Sequence, residues 1–444
     1  PPKMDVEEVN QMDLDEEESE GESSSDESEE GEVYLPGKPL EQNEELVCND
    51  EAYVMLHQAS TGAPCLSFDI IPDDLGEHRE EFPLTGYIVA GTQSATAHVN
   101  NVIVMKMSNL HRTSKEKTSN DEEEEEDSDE EEEEIPADKL PQMNCALIRH
   151  QGCVNRIRCS RHGNRLLAAT WSELGHVNVW NLNQQLTLVN DPASLAAYEK
   201  SGEGNRQKPL FTFRGHQSEG FAMDWSRSVA GQLVTGDCRR DIHVWQPDEA
   251  SWRVDQRPLV GHTASVEDLQ WSPNERSVLA SCSVDRSVRI WDTRAAPAKA
   301  CMLTCDGAHD SDVNVISWNR NEPLIVSGGD DGVLHVWDLR SFASKTPIAT
   351  FKHHTNYIST VEWHPEDSSV LASGGADDQI ALWDLSVERD EAEAAEELKD
   401  LPPQLLFIHQ GQTDVKELHW HPQLPGVILS TANSGFNIFR TISV

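Results

Sequence analysis

The stretch "VLASCSVDRSVRIWD" at 278–292 decides the fold, because the chain repeats it. "LIVSGGDDGVLHVWD" at 324–338 and "VLASGGADDQIALWD" at 370–384 align with it without a gap, so successive copies are 46 residues apart. In each copy apolar residues alternate, and Gly or Asp residues interrupt them, which is typical of short strands joined by tight turns. A period of this length indicates that each unit is a small sheet that buries its apolar faces against neighbouring units.

Weaker copies extend the repeat in both directions. Trp245, in "LVTGDCRRDIHVW", lies one period before Trp291, and Trp180 ends "GHVNVW" after a longer spacing. Phe439, in "ILSTANSGFNIF", ends one more unit that carries a ten-residue insertion. Residues 66–110 and 145–182 read as two degenerate units, and five clearer ones have centres near 230, 275, 322, 367 and 425, which makes seven in all.

A histidine, a serine, an aspartate and a tryptophan recur at matching positions in three units. Ser-His-Asp groups also occur in hydrolases, but one active site needs one copy, so repetition favours buried hydrogen bonds between strands over catalysis. Two other units depart from the pattern, since Arg239 stands where an Asp is expected and Asn433 and Phe439 replace Asp and Trp in the last. The predicted structural groups are His262, Asp285 and Trp291, then His309, Asp331 and Trp337, then His354, Asp377 and Trp383.

The period, the early histidine and the late Trp-Asp pair together resemble the WD40 repeat. The resemblance implies an all-β fold, a seven-bladed WD40 β-propeller with four short antiparallel strands in each blade around a central channel. It also implies that the polar group of each repeat is part of the scaffold. Because the sequence contains no phosphate-binding loop and no nucleophile motif, we predict that the protein is not an enzyme and uses no cofactor.

The chain of 444 residues has a formal net charge of −44, and much of this charge lies in two tracts. Residues 5–32 contain fifteen carboxylates and no Lys or Arg, and thirteen of the fourteen residues at 121–134 are acidic. Such tracts cannot bury enough apolar area to order themselves. We therefore predict a disordered acidic tail at 1–45, a propeller from 46 to 444, and a disordered acidic loop at 114–140 between the first two blades.

The sign of the charge narrows the partners. An acidic surface binds nucleic acid poorly, so nucleic acid is expected only as an indirect partner. A basic protein is the natural partner, although each tract taken alone also fits a solubilising spacer. Nine cysteines form no CxxC pair and no zinc-like spacing, which indicates a reducing compartment and no metal site. No apolar run is long enough to predict a membrane span, and we expect a monomer.

Two segments fall outside the repeat. In "NDEAYVMLHQASTGAPCLSFDIIPDD" at 49–74, Asp50 is a suitable N-cap and apolar residues follow at helical spacing, which predicts a helix over 50–60. After this helix, "CLSFDI" alternates and predicts a strand. The second segment is an acidic loop at 387–403, in which seven carboxylates precede the stiff pair Pro402-Pro403.

These segments resemble one subfamily of WD40 proteins, the retinoblastoma-binding type of histone chaperone, over essentially the whole ordered chain. In that family an N-terminal helix precedes a strand that closes the last blade, and an acidic loop ending in Pro-Pro lies against the helix. The groove between helix and loop binds a helix of histone H-four. The contacts that the resemblance implies here are Tyr53, Leu56, Glu391, Glu393, Glu396, Glu397, Asp400, Pro402 and Pro403.

The acidic tracts, "DVNVISW" and the ending "FNIFRTISV" are similar to a glutamate-rich branch of these proteins, with fungal counterparts. That similarity implies a nuclear and nucleolar chaperone that binds histones. It also implies a part in making the large ribosomal subunit, by escorting a basic ribosomal protein. We expect the groove to give a specific contact and the tracts to attract and mask the client. The client-binding residues expected in the second tract are Glu122, Glu126, Glu130 and Glu134.

Two tetrapeptides favour an alternative function. "WDTR" at 291–294 and "WDLR" at 337–340 fit the WDxR pattern by which propellers dock on the adaptor of a cullin ubiquitin ligase. The docking residues are then Arg294 and Arg340, and the protein is a substrate receptor of the ligase.

Serines inside the acidic tracts indicate regulation by phosphorylation. Their surroundings match an acidophilic kinase of the casein-kinase-two type, and each phosphate adds nearly two negative charges. The sites expected to be phosphorylated are Ser24, Ser25 and Ser128.

Overall fold

In the computed structural model the repeated segments form small antiparallel sheets, as the alternating pattern predicts. The predicted tail at 1–45, the loop at 114–140 except for Leu140, and residues 389–400 of the acidic loop lie outside the described residues. The structure describes residues 48–96, 99–113, 140–249, 251–388 and 401–444.

Seven sheets of four strands each confirm the predicted seven-bladed propeller. In blades 1 to 6 the strands follow one another along the chain, and each neighbouring pair is antiparallel. Blade 1 contains β2 (Cys65–Ile70), β3 (Leu84–Thr92), β4 (Asn101–Leu110) and β5 (Gln142–Arg149). Blade 2 contains β6 (Val154–His162), β7 (Arg165–Ser172), β8 (His176–Asn181) and β9 (Phe211–Phe213). Blade 3 contains β10 (Ala222–Trp225), β11 (Leu233–Gly236), β12 (Ile242–Asp248) and β13 (Ser251–Val254).

The other blades repeat this order, except that the seventh takes its outer strand from the start of the chain. Blade 4 contains β14 (Val266–Trp271), β15 (Val278–Ser283), β16 (Ser287–Asp292) and β17 (Cys301–Asp306). Blade 5 contains β18 (Val313–Trp318), β19 (Leu324–Gly329), β20 (Val333–Asp338) and β21 (Ala349–Lys352). Blade 6 contains β22 (Ile358–Trp363), β23 (Val370–Gly375), β24 (Ile380–Asp384) and β25 (Leu405–His409). Blade 7 contains β26 (Val415–Trp420), β27 (Val427–Ala432), β28 (Gly435–Thr441) and β1 (Tyr53–Ala59).

The two α-helices of the described residues, α1 (Asn183–Leu188) and α2 (Pro192–Ser201), lie between β8 and β9. Asp191 caps α2 by accepting the Ala193 N–H at 3.2 Å. Tyr198 then donates to the Leu147 carbonyl of β5 at 2.9 Å, which packs the helical insertion on blade 1. Short 3₁₀ turns occupy Asp50–Ala52, Glu203–Asn205, Pro297–Lys299 and Phe342–Ser344.

In blades 4, 5 and 6 the recurring polar side chains join neighbouring strands. His262 Nδ1 lies 2.9 Å from Asp285, and its Nε2 lies 2.6 Å from the Ser281 hydroxyl. That hydroxyl also accepts from Trp291 Nε1 at 2.8 Å. Ser281 is fully buried, so its hydroxyl is a link between strands and has no access to a substrate. The same network links His309, Asp331, Ser327 and Trp337 in blade 5, and His354, Asp377, Ser373 and Trp383 in blade 6.

Blade 3 contains this network as well, so the prediction that Arg239 stands in the place of its aspartate is wrong. His216 Nδ1 lies 2.9 Å from Asp237, and its Nε2 lies 2.8 Å from the Thr235 hydroxyl. Trp245 donates to the same hydroxyl at 2.9 Å. The carboxylate stands before the turn instead of within it, where it also accepts two backbone N–H groups of the turn at 2.9 Å each.

The predicted helix over 50–60 is also wrong. After one 3₁₀ turn the chain forms β1, which pairs antiparallel with β28. A β-bulge between Tyr53 and Met55 lets Tyr53 and Leu56 pack into one apolar cluster, so their spacing of three imitates a helical stripe. Pairing with β28 overrides this local pattern. The strand that closes the last blade is therefore β1 itself, whereas "CLSFDI" is β2, at the inner edge of blade 1.

Candidate functional site

The outer edge of blade 7, beside blade 6, is the part of the rim where most of the described candidate residues lie. Tyr53 OH is 2.8 Å from His409 Nδ1, and its ring meets Phe407 edge-on at 5.4 Å between ring centroids. Burial lowers the pKa of His409 to about 3, so this imidazole is neutral. Tyr53 is 5 % exposed, and it therefore fixes β1 to β25 from beneath the surface.

The free edge of β1 is covered by the segment that follows β4. Thr113 donates its backbone N–H to the Val54 carbonyl at 3.1 Å, and its hydroxyl accepts the Leu56 N–H at 2.8 Å. His57 Nε2 lies 2.8 Å from the His111 carbonyl oxygen, and burial lowers the pKa of His57. The chain therefore enters the predicted loop at 114–140, which contains the tract 121–134, from the closing strand of the propeller.

The acidic loop at 387–403 leaves and rejoins blade 6 next to this edge. Gln404 donates its side-chain N–H to the Val387 carbonyl at 3.1 Å and thus ties the two ends of the loop together. The Leu405 N–H donates to Pro402 at 3.0 Å as the chain enters β25. Residues 401–408 are all half-buried, so an apolar strip that includes Leu405 and Phe407 borders the closing strand.

The structure thus brings the described candidates together on one part of the rim. Tyr53 lies in the core, while Leu56, Pro402 and Pro403 are half-buried at its border. Their contact with a client stays a prediction. The other candidates lie outside the described residues, namely Glu391, Glu393, Glu396, Glu397, Asp400, Glu122, Glu126, Glu130, Glu134, Ser24, Ser25 and Ser128.

The two WDxR arginines have equivalent positions on blades 4 and 5. Arg294 and Arg340 have side chains that are 74 % and 69 % exposed. Each guanidinium binds the aspartate two residues before it, Asp292 or Asp338, and these hydrogen bonds lower the pKa of both aspartates. Both arginines are therefore presented to solvent in one orientation, as a docking motif requires.

Sequence reasoning missed a ring of side chains on the innermost strands, where each blade is linked to the next. Asp224 accepts the Trp271 N–H at 2.7 Å, and Asp268 accepts the Ile316 N–H at 3.1 Å. The available signal was a carboxylate close to the inner-strand tryptophan, as in "AMDW", "VEW" and "KELHW". Further links run from Cys159 to Asp69, Trp363 to Ser317, Trp420 to Glu362 and Phe68 to Glu417.

These carboxylates line a cavity of about 520 Å³ along the central channel, together with five arginines. Glu417 Oε1 accepts from Arg156 and from Arg158, each at 2.6 Å. His419 Nδ1 lies 2.9 Å from Glu362. Although burial opposes its charge, Glu362 and Glu417 raise the pKa of His419 to about 10, so the ring is an imidazolium at neutral pH.

The described ranges offer no group of three or more His, Cys, Asp or Glu side chains that could hold a metal ion. In the same part of the chain, every helix is too short or too polar to cross a membrane.

Two family models match the chain. Residues 43–111 match the family of the histone-binding protein RBBP4 and its counterpart in the CAF1 complex, a range that contains β1 and the segment on its free edge. Three ranges match "WD domain, G-beta repeat", and they correspond to blades 4, 5 and 6. The matched ranges are 254–292, 299–338 and 345–384.

Three curated relatives cover most of the chain. "Protein HEAT STRESS TOLERANT DWD 1" of Arabidopsis thaliana is 44 % identical over 93 % of this chain and 92 % of its own length. "Glutamate-rich WD repeat-containing protein 1" of Dictyostelium discoideum is 45 % identical over 91 % of this chain and 83 % of its own. "Ribosome assembly protein rrb1" of Schizosaccharomyces pombe is 40 % identical over 92 % of this chain and 84 % of its own. None of these names refers to a catalytic activity. With this fold and these relatives, the chain belongs to the family of glutamate-rich WD-repeat proteins.

Proposed function

We propose that the protein is a chaperone for basic proteins, that it binds histones, and that it acts in assembly of the large ribosomal subunit. The observation that carries this proposal is the convergence of two acidic segments on one rim. The segment leading to the tract 121–134 is bonded to β1, and the base of the acidic loop at 387–403 lies beside the same strand. The match to the histone-binding family model over 43–111 supports the same rim.

The rim and the acidic segments divide the work. The apolar strip beside β1 gives a client helix a surface to bury, and the carboxylates that follow it complement Lys and Arg. Tethered acidic tracts raise the local concentration of carboxylates at the rim and speed the capture of a cation-rich client.

Release follows from the weakness of each contact. An exposed ion pair contributes about 0–1 kcal/mol and is screened by salt, so many exchangeable pairs mask the client without trapping it. DNA or RNA, as a denser polyanion, then takes the client over.

The ribosomal part of the proposal concerns a second class of client. A newly made ribosomal protein carries dense positive charge, like a histone, and needs the same masking before it reaches RNA. The name of the fission-yeast relative supports a part in ribosome assembly. Escort of one basic large-subunit protein, and a location in the nucleus and nucleolus, complete the proposal. Mass spectrometry of proteins that co-purify from nuclear extract tests it.

The contribution of the tract 121–134 is tested by replacing it with a Gly/Ser segment of the same length, which removes charge and keeps the loop. We expect binding of a purified histone pair to weaken about tenfold at low salt, and its salt dependence to become shallower. Unchanged affinity and unchanged salt dependence would show that the tract is a spacer.

The rim itself is tested by reversing charge at Glu396, Glu397 and Asp400, each to Lys. Histone binding should be lost because three repulsive charges then border the strip. The matched control reverses Glu199, Glu275 and Glu322, which are exposed elsewhere on the propeller. If both triple variants bind histone equally well, the client does not use this rim.

A second candidate function is a substrate receptor of a cullin ubiquitin ligase, and the equivalent exposure of Arg294 and Arg340 favours it. The double variant Arg294→Ala/Arg340→Ala should lose the ligase adaptor in a pull-down and keep histone binding. Capture of the adaptor by this variant at the level of the unmodified chain rules the docking motif out.

A further inference from the structure

The central channel has an excess of positive groups that the composition of the chain does not suggest. The wall of its cavity contains five arginines and the His419 imidazolium, six cations against five carboxylates. The net charge of the chain is −44. Each of the five carboxylates also accepts a backbone N–H from the next blade, so much of its hydrogen-bonding capacity is already used.

Three of the five arginines have carboxylate partners. Glu417 binds Arg156 and Arg158, and Asp74 at the rim of the channel binds Arg161 at 2.8 Å. Arg227 and Arg320 differ from these three. Within the described residues, neither guanidinium forms an ion pair or donates a hydrogen bond.

Arg227 and Arg320 lie at the same end of the channel. Arg227 follows β10 by two residues, and Arg320 follows β18 by two residues, so both stand where innermost strands end. Arg227 is exposed, while Arg320 is half-buried in the cavity wall. The two residues therefore lead from the solvent into the channel.

One carboxylate faces three cations at this end. Glu362 is 2.9 Å from His419, and it is also the carboxylate that attracts Arg320 and Arg227. Burial, and next the positive charge of Arg227, lower the pKa of Arg320 to about 10, against the attraction of Glu362. Two positive charges are thus left without compensation.

Two further donors in the same wall lack an acceptor among the described residues. The Nε2 atoms of His162 and His419 are buried and make no hydrogen bond, and His419 Nε2 is 3.8 Å from Glu417, too far for one. Burial lowers the pKa of His162, so its ring is neutral and keeps one N–H to donate. Buried polar groups normally have partners, which indicates that an acceptor is missing here.

We propose that this end of the channel binds a small phosphate compound of multiple negative charge, with Arg227 and Arg320 as its main ligands. Guanidinium groups match phosphate oxygens in paired hydrogen bonds and keep their charge when buried. A compact polyphosphate fits a cavity of about 520 Å³. A nucleic acid strand does not, because it would extend over an outer surface that repels it.

The test is calorimetric titration of the full chain with inorganic triphosphate at low ionic strength. Binding should weaken about tenfold or more in the variant Arg227→Gln/Arg320→Gln, since two charge-assisted contacts are lost. The control is Arg253→Gln, an exposed arginine of the outer strand β13 that should leave binding unchanged. Absence of binding to the unmodified chain, or equal binding to the double variant, overturns the proposal.

A parallel titration with citrate separates phosphate recognition from general attraction of anions. Triphosphate should bind at least about tenfold more tightly than this tricarboxylate, and equal affinities contradict the phosphate assignment. Ligand-induced stabilisation gives a second readout, because triphosphate should raise the Tm of the unmodified chain and the Arg253→Gln variant only. The double variant should fold, since it removes two charges that repel each other. Histone binding does not enter these measurements, so their outcome is independent of the proposed function.

Discussion

Glu417 illustrates how one buried side chain can hold several blades together. Its Oε2 accepts the Phe68 N–H of blade 1 at 2.8 Å, while its Oε1 binds Arg156 and Arg158 of blade 2. Burial opposes ionisation, but the two arginines hold the pKa of this carboxyl well below its usual value. A charge that is only 2 % exposed is therefore fully compensated, and it ties the last blade to the first two.

The variant Glu417→Gln should lower the free energy of unfolding by about 3–5 kcal/mol, because it leaves two buried arginines without their counter-charge. Urea unfolding measures this loss. The control Glu275→Gln, at an exposed position, should change stability by less than about 0.5 kcal/mol. Equal midpoints for the two variants would contradict the role assigned to Glu417.

The network of blade 3 yields a second prediction, because it separates the residue expected from the repeat from the one the structure uses. Asp237→Ala should cost about 1–3 kcal/mol, since it leaves buried His216 without its partner. Arg239→Ala, at the position six residues before the tryptophan, should be almost neutral because the side chain is exposed. Thermal unfolding of both variants decides between the two positions.

Among the strands, β1 is the one whose type the sequence misled us about. The repeat predicted the other blades because each has alternating apolar residues and the same spacing to its tryptophan. β1 lies outside the repeat, and its partner β28 is almost the whole chain away. Local spacing cannot reveal a pairing over such a distance, and the bulge next to Tyr53 added a false helical period.

Met55 gives a direct test of the closing strand. Its side chain is fully buried between blades 7 and 1, so Met55→Ala should lower the free energy of unfolding by about 2–5 kcal/mol. Gln58→Ala, at an exposed position of the same strand, should have little effect. A small loss at Met55, equal to that at Gln58, would mean that β1 is not firmly packed in solution.

The molecule as a whole was predictable in its blade number and less so in its channel and rim. Seven units could be counted along the chain, since each carries its own strands and polar network. The channel network joins single residues from every blade, and no window of sequence contains them together. At the rim, Tyr53 and Phe407 come from opposite ends of the fold, and the closing pair β1–β28 brings them into contact.

Buried histidines predict how stability varies with pH. Burial lowers the pKa of His150 to about 4 and those of His409 and His421 to about 3. The unfolded chain, with histidine pKa values of about 6.5, then binds more protons than the folded chain below that pH. Stability should therefore fall by a few kcal/mol, roughly, as the pH drops from 6.5 towards 4. Asp224, whose pKa burial raises to about 7, opposes this trend as one group against three.

His419 acts in the opposite direction at alkaline pH. Its folded pKa of about 10 exceeds the unfolded value, so its contribution is complete below pH 6.5 and is lost as the pH rises through 10. Tm recorded in steps from pH 4.5 to pH 10 at constant ionic strength should thus pass through a maximum near neutrality, roughly at pH 6–7. A Tm that keeps rising towards acid would contradict the neutral state of the buried histidines.

The pairing of β1 with β28 also has a consequence during synthesis. β1 leaves the ribosome early, but its partner follows only after roughly 375 further residues. At about 5–20 residues per second the first strand waits on the order of half a minute, with Met55 and its neighbours uncovered. A nascent copy of this protein therefore needs shelter of its own until translation ends. A transcript truncated within the last blade yields a product that cannot close its ring, and which proteolysis would remove.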